Sequence, residues 1–150
     1  MYCSCVCVCV VDTKNLISYQ EKMIEVSHIL LILLVCYLVY ERVYSHIMVR
    51  YLRLYLLPVA LHYNVADVPV KPRYFGAVTY EKSRITICVK GRYSLPRLAY
   101  VLLHEYAHVI TVSVGHTPEF WANLDDMLKT AKDMKIYIDE YFKSHPYCRI

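Results

Sequence analysis

From Ile29 to Tyr40 the chain carries no charged side chain, and Val26 to Tyr40 is its most apolar stretch. Such a segment must leave water, either into a protein core or into lipid. Fifteen helical residues reach about 22 Å, short of the roughly 30 Å of a bilayer core. Spanning would therefore draw in residues beyond Glu41 and Arg42, or thin the bilayer. Tyr37, Tyr40 and Tyr44 suit an interfacial belt, and Arg42 is long enough to snorkel. By length alone a buried core helix fits equally well. Lys14 and Lys22 precede the run and Arg42, Arg50 and Arg53 follow it, so flanking charge sets no orientation.

The remaining chain suffices for one domain. It has 150 residues, 57% of them apolar and 20% charged, which is more apolar than an ordinary soluble domain. Residues 1–25 are expected to form a poorly ordered leader. They lack a basic first region and a small-residue cleavage site, so a secretory signal is not expected. Cys3, Cys5, Cys7 and Cys9 alternate within it, and Cys36, Cys88 and Cys148 are scattered. Seven cysteines in this pattern do not make a disulfide framework, and reduced thiols in a reducing compartment are expected. The net charge of +4 does not require a nucleic-acid partner. Its distribution is uneven: Glu41 to Arg97 is basic and Thr117 to Glu140 acidic, which makes a polyanion a weakly supported partner.

Val43 to Leu57 reads as a second helix, with Arg42, His46, Arg50 and Arg53 forming a cationic stripe at helical spacing. Pro58, Pro69 and Pro72 bracket an irregular connector. Tyr74 to Tyr80 and Arg84 to Val89 are β-rich runs joined by Glu81, Lys82 and Ser83, a hairpin in which Ile85, Ile87 and Val89 share one buried face. Ser94 and Pro96 then open a helix as N-cap and first-turn proline, and Gly115 is placed to stop it. Thr117 and Pro118 open the next, with an apolar stripe of Phe120, Leu124, Met127, Leu128 and Ala131. These elements predict an α+β domain with a small hairpin or sheet packed on a helix, preceded by an apolar N-terminal helix.

The central helix carries His104-Glu105-Tyr106-Ala107-His108, an H-E-x-x-H segment. Residues four apart on a helix stand on one face, so two imidazoles can reach one tetrahedral zinc ion at about 2.0–2.1 Å. Glu105 is rotated away from ligation but can reach a water held there, as a general base in peptide hydrolysis. With seven histidines and seven glutamates, chance would produce this pattern in roughly one such chain in seventy. The third ligand is expected to be His116, just past Gly115. Glu119 is the rival, and its carboxylate would otherwise serve the helix dipole or hold a histidine. Phe120 and Trp121 are expected as core anchors under the site. His28, His46, His62 and His145 are expected as solvated side chains. Tyr137 and Tyr141 are the available candidates for stabilising an oxyanion.

The run from Leu103 to Trp121, L-H-E-Y-A-H-V-I-T-x-x-x-G-H-T-P-E-F-W, resembles the WLM/SprT-like zinc metallopeptidases, in particular the small membrane-anchored members of large DNA viruses. Their usual form is H-E-L-A-H followed by G-H-T-P-E-F-W, so Tyr106 stands where Leu is usual. The tail Tyr137 to Tyr141 with Pro146-Tyr147-Cys148 is also similar to theirs. The resemblance implies that His104, His108 and His116 hold one zinc ion, with Glu105 as base. It also implies a minimal zincin-like fold over residues 45–150, with a peptide or protein substrate lying along the sheet edge. It favours a membrane anchor over residues 26–44. Cellular relatives cleave proteins crosslinked to DNA, and a DNA-associated protease is one alternative. A catalytically inactive, zinc-stabilised membrane adaptor is another.

Overall fold

The computed structural model describes residues 13–89, 93–136 and 138, with side chains from Gln20 onward except that of Glu21. The chain divides into two compact units, Met1–Tyr40 and Glu41–Ile150. The order of elements is α1 (Thr13–Tyr55), α2 (Leu57–His62), β1 (Val70–Arg73), β2 (Ala77–Tyr80), β3 (Arg84–Cys88), α3 (Leu95–Ile110) and α4 (Pro118–Asp133). Among the described residues this is an α+β arrangement of four helices and one three-stranded sheet.

Two helices were expected where α1 is one. Nothing at Glu41 or Arg42 breaks a helix, and Pro58 is the first residue able to do so. The helix also begins at Thr13, well inside the leader expected to be unordered to residue 25; Cys3, Cys5, Cys7 and Cys9 lie outside the described residues. In the first unit the apolar side chains of α1 are uncovered, with Leu30 and Ile32 each 61% exposed. A core helix buries its side chains, whereas none of the most apolar window here is buried. Lys22–Tyr55 is long and apolar enough to cross a membrane, a criterion that a signal sequence near an N-terminus also meets.

The second unit is built around α3. Leu98 to Leu103 are all buried, as are Tyr106 and Ala107, because the sheet and α4 both pack on this helix. The part of α1 from Glu41 onward adds Val49 and Leu52 to the core, and Leu56 follows it. The sheet order is β1-β3-β2, with β1 parallel and β2 antiparallel to β3. The hairpin of β2 and β3 matches expectation, and Ile85, Ile87 and Val89 are buried as the alternation required. The strand β1 falls in the stretch read as an irregular connector, as does the short α2. Pro69 and Pro72 hid β1, but among the described residues β1 pairs on one side only, so a proline's missing N–H is tolerated there.

The expectation of reduced thiols holds at Cys36, which is free and exposed, and fails at Cys88, which is disulfide-bonded and buried. Its partner lies outside the described residues. Cysteine spacing carries no connectivity, and a disulfide is at odds with the reducing surroundings expected for this unit.

Candidate metal centre

The helix α3 presents His104 and His108 one turn apart, their ring centroids separated by 5.0 Å. His116 reaches them from the loop between α3 and α4, its ring centroid 4.9 Å from each. The Nε2 atoms of His104 and His116 are 3.0 Å apart. One ligand atom from each of the three histidines lies within 4.8 Å of the others, close enough to bind one metal ion. Three imidazole nitrogens gathered in this way are a donor set for one metal ion, without fixing which ion.

Electrostatics favour the same use. Burial lowers His104 to about 4, and repulsion from His108 and His116 adds to the effect. His108 is lowered as well, first by burial and then by His116. Both rings are therefore neutral near pH 7, and a neutral imidazole has the free lone pair that a cation needs.

Phe120 underlies all three rings. It is fully buried, stacks on His108 at 4.3 Å, and meets His104 and His116 edge-on at 4.8 and 4.7 Å. Phe120 is thus the core anchor that was expected. Trp121 is not: it is 39% exposed, at the rim, 5.5 Å from His116.

Glu105 is buried beside this trio, at 5% exposure. Burial pushes its carboxyl up to about 7, opposed by a hydrogen bond from Thr79 and by the charge of Arg73. The Thr79 hydroxyl stands 2.7 Å from Oε2 of Glu105 and 3.1 Å from its backbone oxygen. His104, Glu105, His108 and His116 border one open cleft of about 420 Å³, whose other wall includes Thr79 on β2.

The loop carrying His116 departs from expectation. Gly115 does not end α3; the helix stops five residues earlier, at Ile110, and Thr111 adopts an extended backbone. The Thr111 hydroxyl donates to the carbonyl of Ala107 and accepts from Asn123 of α4, which fixes the exit. Gly115 lies in the loop with φ +87°, a left-handed conformation that glycine adopts without strain.

Two charged side chains of opposite sign grip the loop. The Lys82 ammonium donates to the carbonyls of Thr111 and Val112. Glu119 accepts from the backbone of Val112 at 3.1 Å, and from the backbone and hydroxyl of Ser113 at 3.2 and 2.7 Å. These bonds hold its carboxyl below the usual range. Glu119, the rival third ligand, thus spends both oxygens on the loop and stands outside the histidine cluster. Thr117 caps α4 by accepting from Phe120 N at 3.3 Å, as its position predicted.

His28, His46 and His62 are exposed and are not among the clustered histidines. His145, Tyr137 and Tyr141 lie outside the described residues. Sequence reasoning missed Thr79, Lys82 and Asn123 as contributors. No spacing rule could have found them, because sheet register and helix packing bring them to the site. Comparison of the chain with protein-family models, curated proteins and solved structures finds no match.

Proposed function

We propose that the second unit is a zinc-dependent peptidase and that the apolar helix tethers it to a membrane. One observation carries this reading. A single cleft is bordered by three convergent imidazoles, a buried carboxylate on the helix that carries two of them, and β2, an edge strand among the described residues.

His104, His108 and His116 would hold the ion as neutral nitrogen donors, which leaves a fourth position open, as catalytic zinc sites do. When bound, zinc supplies a Lewis acid that polarises a carbonyl and acidifies water. Glu105 accepts a proton from the attacking water and returns it to the departing amine. Its burial suits this exchange, since removal from water favours the carboxyl's protonated form and so helps it hold the proton it has taken. Among the described residues no strand pairs with the outer side of β2, which would offer its backbone groups to an extended peptide added as a strand beside α3. This is the working plan of a zincin reduced to three strands.

The test uses the full chain in detergent, loaded with zinc, against a peptide library. The wild type should carry one zinc ion per chain and cleave. His116→Ala should lose most of its zinc. Glu105→Gln should keep zinc and lose cleavage by at least about a thousandfold, the loss of a general base together with its proton return. Cleavage by Glu105→Gln at the wild-type rate would sink the mechanism. Zinc without turnover in the wild type would make the unit a metal-stabilised adaptor.

A further inference from the structure

Thr79 lies on the edge strand β2, paired with Ile85 of β3. That register puts its side chain on the sheet face that carries the fully buried Ile85 and Ile87, the face toward α3. There its hydroxyl meets Oε2 of Glu105 at 2.7 Å, with the Glu105 backbone oxygen at 3.1 Å. A hydroxyl has one proton to donate, and the shorter contact, to a group that carries charge when ionised, is the stronger claim on it. Among the described residues no other side chain hydrogen-bonds that carboxylate. A carboxylate with no partner would be free to rotate, and this hydrogen bond fixes its orientation. With Oε2 held by Thr79, Oε1 is left free to take a proton.

We propose that Thr79 is a positioning residue for the reaction: its hydroxyl holds one oxygen of Glu105 so that the other faces the reacting water. This rests on the peptidase reading and extends it. The strand that would receive the substrate backbone is also the strand that aims the base, so docking and proton transfer share one piece of backbone. A purely structural role would instead make Thr79 a pin between β2 and α3, with no separate effect on turnover.

Two substitutions in the full-length, zinc-loaded chain separate these roles. Thr79→Val keeps the shape and removes the hydroxyl, and Thr79→Ser keeps the hydroxyl. Zinc content, melting temperature, kcat and KM are measured for each, together with the affinity of a peptide hydroxamate. Such a ligand binds zinc and shares a proton with the base without turning over. Thr79→Val should keep one zinc ion, a melting temperature near wild type, and KM within about twofold. Its kcat should fall roughly tenfold to a hundredfold, the range expected for a hydrogen bond to a charged group, and hydroxamate affinity should fall with it. Thr79→Ser should recover both to within about threefold. Wild-type kcat in Thr79→Val overturns the proposal. So does a loss that comes with lost zinc or lowered melting temperature and is not recovered by serine. If the zinc-loaded wild type neither turns over nor binds the hydroxamate, the peptidase reading itself falls, before either variant is needed.

Discussion

At the scale of the residue, Glu105 and His104 are neighbours on α3 that burial pushes in opposite directions, one up to about 7 and the other down to about 4. Each shift has a consequence for the metal-free protein. A carboxyl raised in the folded state costs stability as pH climbs from its unfolded value, near 4.5, through about 7. An imidazole lowered in the folded state costs stability as pH falls from about 6.5 through about 4. In the window they share, the two oppose each other. Metal-free Glu105→Gln should therefore melt above metal-free wild type at pH 8 and converge with it near pH 4, where both side chains are neutral. Calorimetry in chelator at the two pH values checks this; equal melting temperatures at pH 8 would mean the carboxyl is not buried as described. His104 and His108 were legible in the sequence because four-residue spacing on a helix is a geometric statement in itself. Thr79 was not, because its place beside Glu105 exists only after β2 has paired with β3.

At the scale of the element, the loop from Thr111 to His116 shows how local signals can be read correctly and placed wrongly. Gly115 does adopt the left-handed backbone that its identity suggested, but in the loop, because Thr111 and Asn123 have already ended α3. A Cβ at Gly115 would meet nothing within 4 Å, so the cost of a substitution is backbone strain alone. Gly115→Val should destabilise the fold by about 1–2 kcal/mol. It should also weaken metal binding by shifting His116, which a competition titration against a colorimetric chelator would measure. Unchanged affinity would mean that the loop absorbs the change elsewhere. The hairpin turn is strained in the same sense: Glu81 and Lys82 have φ of +46° and +55°, values that glycine and asparagine adopt more cheaply. The contact of Lys82 with the carbonyls after α3 compensates, and no turn rule predicts it. The hairpin itself was readable from alternation, whereas β1, short and carrying a proline, was not.

At the scale of the whole molecule, the α+β class and the apolar N-terminal helix followed from sequence, while the exposure of that helix, the continuity of α1 and the disulfide at Cys88 did not. Periodicity records which faces are apolar, but not where a helix with no breaker will stop, nor which cysteines meet. If α1 is an anchor, the expressed protein should sediment with membranes, resist alkaline carbonate, and keep its full mass of 17.7 kDa. A membrane-free product shortened from its N-terminus would instead mark the helix as a removed signal. A full-length product released by carbonate would exclude both.

The paired grip of Lys82 and Glu119 on the segment before His116 reaches further than anchoring one ring. Many small metal proteins are folded by their ion and collapse without it. Here the segment before His116 is held by ammonium and carboxylate, beside the buried Phe120. If the proposed site takes an ion, its loading and loss would be events of the cleft, and a chain that stays folded when emptied is the expected outcome of chelation.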